Sequence, residues 1–177
     1  MPVILNIVAY QVAWFACVLS AANQLPWLGT VVALAVVALH LVMSSQRGTE
    51  FKLVVAAAVI GLVLDSALVM SGMVGFSSGV FIDGVTPHWM LGLWIAFATT
   101  LSVSMRWLVT RPLLAIAFGA LGGPIAYYAG MKLGAITIDS SVTALIAIGI
   151  SWAAAMWLLA TVAQRLEVAP LIAEPAT

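Results

Sequence analysis

The first 46 residues of the chain contain no Asp, Glu, Lys or Arg. A single bilayer crossing needs about 20 apolar residues at 1.5 Å rise each, so this uncharged stretch is roughly two crossings long. Asn23-Gln24-Leu25-Pro26 supplies the break between them, because proline suits the first position of a new helix. The rest of the chain follows the same pattern. Only 7% of its 177 residues are charged and 64% are hydrophobic, whereas a soluble domain carries about 25% charged residues to face water. A core of this length has too much surface to hide that apolar content, so the solvent must be lipid.

Spans are expected near 3–22, 26–43, 52–71, 88–107, 112–131 and 142–164. Together they make an all-α transmembrane bundle of about six helices and one domain over residues 1–165. Ser44 to Glu50 is a polar turn, and Gly72 to Pro87 reads as the longest loop. Thr110-Arg111-Pro112 ends span four and starts span five, and Gly134 to Ser141 is a further loop. Residues 166–177, with Pro170 and Pro175, read as a short disordered tail. No internal repeat is visible. Ser20-Ala21-Ala22 resembles a signal-peptide cleavage site, but no basic residue precedes Arg47, so the first segment is expected to be a retained helix.

Basic residues set the expected orientation. Alternate connections hold Arg47, Lys52, Arg106, Arg111 and Arg165, and the opposite set holds only Lys132. The first set, with both termini, is therefore expected in the cytoplasm. Trp27, Trp89 and Trp107 fall near span ends, where interfacial aromatics belong.

A polar residue within a span is costly, and Asp65 is the most informative. A charge at that depth costs about 2.5–3.5 kcal/mol on insertion scales, so Asp65 should face protein or water and have a partner. Lys132, whose stem can bend back from the interface, and His88 are the candidate partners on the outer side. The alternatives are snorkelling to water for Lys132 and an interface position for His88. His40 lies at a different depth and reads as a neutral imidazole with one hydrogen bond. Two histidines at different depths and a single cysteine, Cys17, leave no expected metal site, disulfide or cofactor. On span one, Asn6, Tyr10, Cys17, Ser20 and Gln24 form a polar stripe that should turn inward, as helix glue or as a cavity lining.

Span five is rich in small residues. Gly119, Gly123, Ala126, Gly130 and Gly134 recur at three- or four-residue spacing and form a groove for close helix approach. Pro124 removes a backbone donor, so a kink is expected within Gly122-Gly123-Pro124. Tight packing and a binding site at the kink are the two readings. Tyr127, on the same segment, completes the candidate polar set.

Pro87-His88-Trp89-Met90-Leu91-Gly92-Leu93-Trp94 and Gly122-Gly123-Pro124-Ile125-Ala126-Tyr127-Tyr128-Ala129-Gly130-Met131-Lys132-Leu133-Gly134 resemble an uncharacterised family of bacterial inner-membrane proteins known by a domain-of-unknown-function label. Trp14-Phe15-Ala16-Cys17 and the Gly61 to Ser66 segment also look similar, so the resemblance covers nearly the whole chain. It implies a bacterial inner membrane, carries no activity, and assigns no residue a role. It also implies a genomic setting beside genes for cyclopropane-type fatty-acyl modification and other lipid enzymes.

Zero net charge gives no reason to expect nucleic acid as a partner. No nucleophile–base pair, phosphate loop or paired carboxylates can be found. The leading expectation is therefore a non-catalytic accessory protein that binds a membrane lipid or another apolar molecule. Its partner would be a lipid-modifying membrane enzyme or a second copy of itself. A small transporter or channel using Asp65 and the kinked fifth span is the alternative, although transporters often pair interrupted helices in two halves. A membrane enzyme with an outer-side site formed by His88, Asp65 and Lys132 is the third.

Overall fold

The computed structural model describes the backbone of residues 1–171 and the side chains of residues 1–166. In chain order the elements are α1 (Val3–Ala22), α2 (Pro26–Met43), α3 (Arg47–Met70), β1 (Val74–Phe76), α4 (His88–Leu101), the one-turn α5 (Arg106–Val109), α6 (Pro112–Lys132), β2 (Ile136–Ile138) and α7 (Val142–Leu171). Five of these, α1, α2, α3, α6 and α7, are long and apolar enough to cross a membrane. Pro26 and Pro112 open α2 and α6 at the first turn, where the missing N–H costs nothing.

The stretch expected as span four is not one helix. α4 has 14 residues, or about 21 Å at 1.5 Å per residue, against a hydrocarbon core of about 30 Å. The chain leaves the helix at Ser102 and turns, with Met105 N–H bonded to Thr100 C=O at 2.7 Å, before α5 begins. The turn is stabilised by partners outside α4. Asn6 Nδ2 donates to Thr99 C=O at 3.1 Å, Ser104 Oγ donates to Asn6 Oδ1 at 2.6 Å, and Ser102 Oγ donates to Glu50 Oε2 at 2.9 Å. Non-helical backbone is tolerated at membrane depth where protein surrounds it. α4 is so surrounded: of its residues only His88, Leu91 and Ile95 are not buried.

α4 is the axis of the bundle, packed on α1, α2 and α3, while α7 joins α3 to α6. α1 and α6 are the two edges of this arrangement and pack on other helices rather than on each other. The loops before α4 and α7, expected to be irregular, instead pair as a two-stranded antiparallel sheet with Gly75 opposite Thr137. Three helices lead into this face through the same cap. The N–H of Leu25, Met73 and Ala135 bonds to the C=O of Ser20, Leu68 and Gly130, with Gln24, Gly72 and Gly134 at positive φ. This is the Schellman arrangement, which consumes the orphan carbonyls of a helix end. Glycine suits the left-handed position at 72 and 134, and Gln24 occupies it while bonding through Nε2 to Ser77 C=O at 3.2 Å.

The opposite face holds the start of α1, the α2–α3 turn, the end of α4, α5 and the end of α7. Here Gln164 Nε2 bonds to Val109 C=O, and His40 Nε2 lies 3.0 Å from Glu50 Oε2. His40 and Ser102 therefore both lie against Glu50 Oε2. All five basic residues of the larger set lie on elements or turns at this face, and Lys132 lies at the other. α7 continues through residues expected as disordered tail, and residues 172–177 of that tail lie outside the described residues.

One expectation about an individual residue changes. Trp27 and Trp107 are exposed, but Trp89 is fully buried and donates to Ser78 C=O at 3.0 Å, so it is part of the core rather than of an interfacial belt. α6 is helical through Pro124. The carbonyl that Pro124 leaves without its usual partner, that of Ala120, faces Gly149 of α7, where a side chain would press on it.

Candidate functional site

Asp65 is turned inward, with 1% of its surface exposed. Its partners are neither Lys132 nor His88. Tyr127 Oη donates to Oδ1 at 2.6 Å and Trp94 Nε1 donates to Oδ2 at 2.7 Å. Each carboxyl oxygen thus holds one short hydrogen bond, and α3, α6 and α4 are tied together at this point. Gly61, one turn before Asp65 on the same face of α3, makes the Trp94 bond feasible. A side chain there would overlap the indole ring, so Gly61 seats the ring and Asp65 takes its N–H.

Lys132 instead lies over the Tyr128 ring, 5.2 Å from its centroid, at the exposed end of α6. His88 stacks on Trp27, 4.0 Å away, and on Phe81, 5.0 Å away. Its Nδ1 meets Thr30 Oγ1 at 2.7 Å. Both residues belong to the surface of the sheet-bearing face, so the outer-side triad with Asp65 does not form.

The groove residues of α6 divide by what they face. Gly119 lies against the Trp152 carbonyl, Gly123 against the Trp152 ring, and Gly130 against Ile136. These are packing positions, and Gly134 is a cap. Gly122 differs, because a side chain there would meet only the Phe118 ring, at 3.8 Å.

Gly122 borders an open space. Between α1 and α6 lies a cleft of about 350 Å³, whose walls include Tyr10, Trp14 and Phe15 on one side and Phe118, Gly122 and Ala126 on the other. Its rim residues Phe15, Phe118 and Ile125 are exposed on the apolar outer surface. Behind it lies a recess of about 30 Å³, bounded by Tyr10, Trp89, Trp94, Phe97, Tyr127 and Trp152. Tyr127 and Trp94 therefore have one side on the recess and their polar atoms on Asp65. Trp152 stacks on Trp94 at 4.5 Å and 18°, and its buried indole N–H, near the Tyr127 hydroxyl, has no hydrogen-bond partner among the described residues.

Of the expected polar set, Asp65 and Tyr127 come together and Tyr10 lines both spaces. Asn6 lies apart and secures the end of α4. The inward stripe of span one holds for Asn6, Cys17 and Ser20, which are buried, while Gln24 lies beyond the helix. Trp94 and Trp152 are not among the polar residues expected from the sequence. A signal was available: a tryptophan in the middle of a span, rather than at its end, brings an N–H that needs a partner inside the bundle.

Five membrane-length apolar helices around a buried short one, with a side cleft lined by aromatic rings, define a multi-pass membrane protein. The chain belongs to the family described as protein of unknown function DUF2878, which matches residues 3–158. No curated protein and no solved structure matches it.

Proposed function

We propose that this protein binds an apolar, bilayer-soluble molecule in the cleft between α1 and α6 and acts as a non-catalytic accessory protein of membrane lipid metabolism. The observation that carries this reading is the cleft, open at an apolar rim and walled by aromatic and small residues. Ligand sites are concave, mostly apolar and about 300–1,000 Å³ in volume, and this one faces the part of the protein that contacts lipid. Asp65 has a supporting part here: its two hydrogen bonds hold Tyr127 and Trp94 as the back wall. The alternative, a small transporter or channel, draws on Asp65 and the kinked fifth span, and both carboxyl oxygens of Asp65 are held by Tyr127 and Trp94.

Mass spectrometry of molecules that co-purify with the protein tests the reading. Gly122→Leu places a side chain in the cleft where the packing has room. It should remove the bound molecule while leaving the unfolding midpoint near that of the wild type. A Gly122→Leu protein that carries the same molecule in the same amount would place that molecule elsewhere.

The bacterial inner membrane and the orientation are part of the same proposal. The face bearing Arg47, Lys52, Arg106, Arg111 and Arg165 is assigned to the cytoplasm. Reporter fusions after residues 47, 108 and 170 should then read cytoplasm, and fusions after 24, 80 and 137 should read periplasm. A periplasmic reading at 108 would invert the assignment.

A further inference from the structure

The walls also limit what kind of molecule the cleft accepts, an inference that rests on the binding reading above. We infer that the occupant is a neutral single-chain lipid whose head carries a hydrogen-bond-accepting oxygen, such as a carbonyl or ester, and that this oxygen meets the Trp152 indole N–H.

Three observations converge on this class. No Lys, Arg, Asp, Glu or His lines either the cleft or the recess. Tyr10 and Trp14 lie in the middle of α1, so an ionised head would enter mid-membrane without a counter-charge, where charges are most costly. Asp65 does not change this, because both its oxygens are already held by Tyr127 and Trp94. A cationic head would have to break both bonds, and an anionic head would face a carboxyl group.

The second observation is the Trp152 donor. A buried donor without an acceptor is expensive, so native structures rarely keep one. The Tyr127 hydroxyl nearby gives its own proton to Asp65 and makes no aligned hydrogen bond with this N–H. Trp94 stacks on one face of its ring, and Gly123 packs against the ring's attachment. It lines both spaces, so an acceptor oxygen on a ligand can reach it.

Size is the third. The recess of about 30 Å³ admits a group about the size of a water molecule, which suits a carbonyl oxygen and excludes a phosphate-bearing headgroup. The outer cleft of about 350 Å³ is near the lower end of ligand sites, enough for a single chain that leaves past Gly122 into the bilayer.

Three dibrominated probes of one chain length test this in detergent micelles, because bromine quenches nearby tryptophan. They are the stearic acid methyl ester, the corresponding carboxylate at a pH well above its titration, and the corresponding alkane. Each is titrated as its mole fraction in the micelle against the full-length protein. The ester should quench at about tenfold lower mole fraction than the alkane, the worth of one hydrogen bond, and the carboxylate should be the weakest. Trp152→Phe keeps the stacked ring and removes the N–H. It should bring the ester to the alkane's midpoint without moving the alkane. Equal midpoints for ester and alkane in the wild type would overturn the head-group assignment and leave cleft binding intact, as would a carboxylate that binds best. Quenching by all three probes that is unchanged in Gly122→Leu would overturn the cleft reading itself.

Discussion

Gly119→Leu should be among the most destabilising single substitutions in the protein, with a loss greater than about 3 kcal/mol, and Gly123→Leu should follow at about 1–3 kcal/mol. At Gly119 a new side chain overlaps the main-chain carbonyl of Trp152, and at Gly123 it overlaps the root of the Trp152 ring. Neither is the flexible end of a side chain, so α6 and α7 must separate. In a membrane no hydrophobic force returns them, because lipid is as apolar as the helix surface and attraction depends on close contact. Gly122→Leu, one residue away, should stay within about 0.5 kcal/mol of the wild type, as substitutions away from packed features do. Unfolding midpoints in detergent, measured on the three variants together, check the ranking. If Gly122→Leu and Gly123→Leu lost stability equally, α6 would not present these two residues to different surroundings.

The division between these glycines shows what a sequence can and cannot carry. Small residues at three- and four-residue spacing announce a close-packed helix face, and Gly119, Gly123 and Gly130 lie on it. Which neighbour fills the groove depends on the order of helices around the bundle, and spacing within one helix holds no information about that. Span lengths were legible for the same kind of reason, since bilayer thickness imposes a length on every lipid-facing helix. α4 escaped because it is sheathed by α1, α2 and α3 and is free of that rule, although its composition is as apolar as theirs. The β1–β2 pair escaped because three-residue strands are set by where α3 and α6 end.

Asp65 is the clearest case of a correct reading with the wrong partner. The cost of a carboxyl in a span predicts that it turns inward and is satisfied, and it is. Lys132 and His88 are natural partners by charge, but both sit at the sheet-bearing face against aromatic rings. Neutral donors carry no charge signal, so Tyr127 and Trp94 had to be recognised as polar groups placed deep in apolar spans. The i, i+4 pair of Gly61 and Asp65 is a trace of Trp94: one residue clears space for the ring, the other accepts its N–H.

Asp65→Leu should destabilise the protein by roughly 2–6 kcal/mol, because it leaves the Tyr127 O–H and the Trp94 N–H without acceptors at about 1–3 kcal/mol each. The relief of burying one less polar residue does not offset this, since two donors remain that were placed to meet it. Asp65→Asn keeps one carbonyl oxygen and should lie between wild type and leucine. Tyr127→Phe strands one carboxyl oxygen and should cost about 1–3 kcal/mol. Double-mutant cycles then decide the pairing. Asp65→Asn combined with Tyr127→Phe should depart from additivity by about 0.5–3 kcal/mol, whereas Asp65→Asn combined with Lys132→Met should add within about 0.5 kcal/mol. The two cycles separate a hydrogen-bonded carboxyl that braces α3, α4 and α6 from an ion pair at the sheet-bearing face. Coupling to Lys132 that matches or exceeds coupling to Tyr127 would overturn the hydrogen-bonded arrangement, and with it the back wall on which the cleft depends.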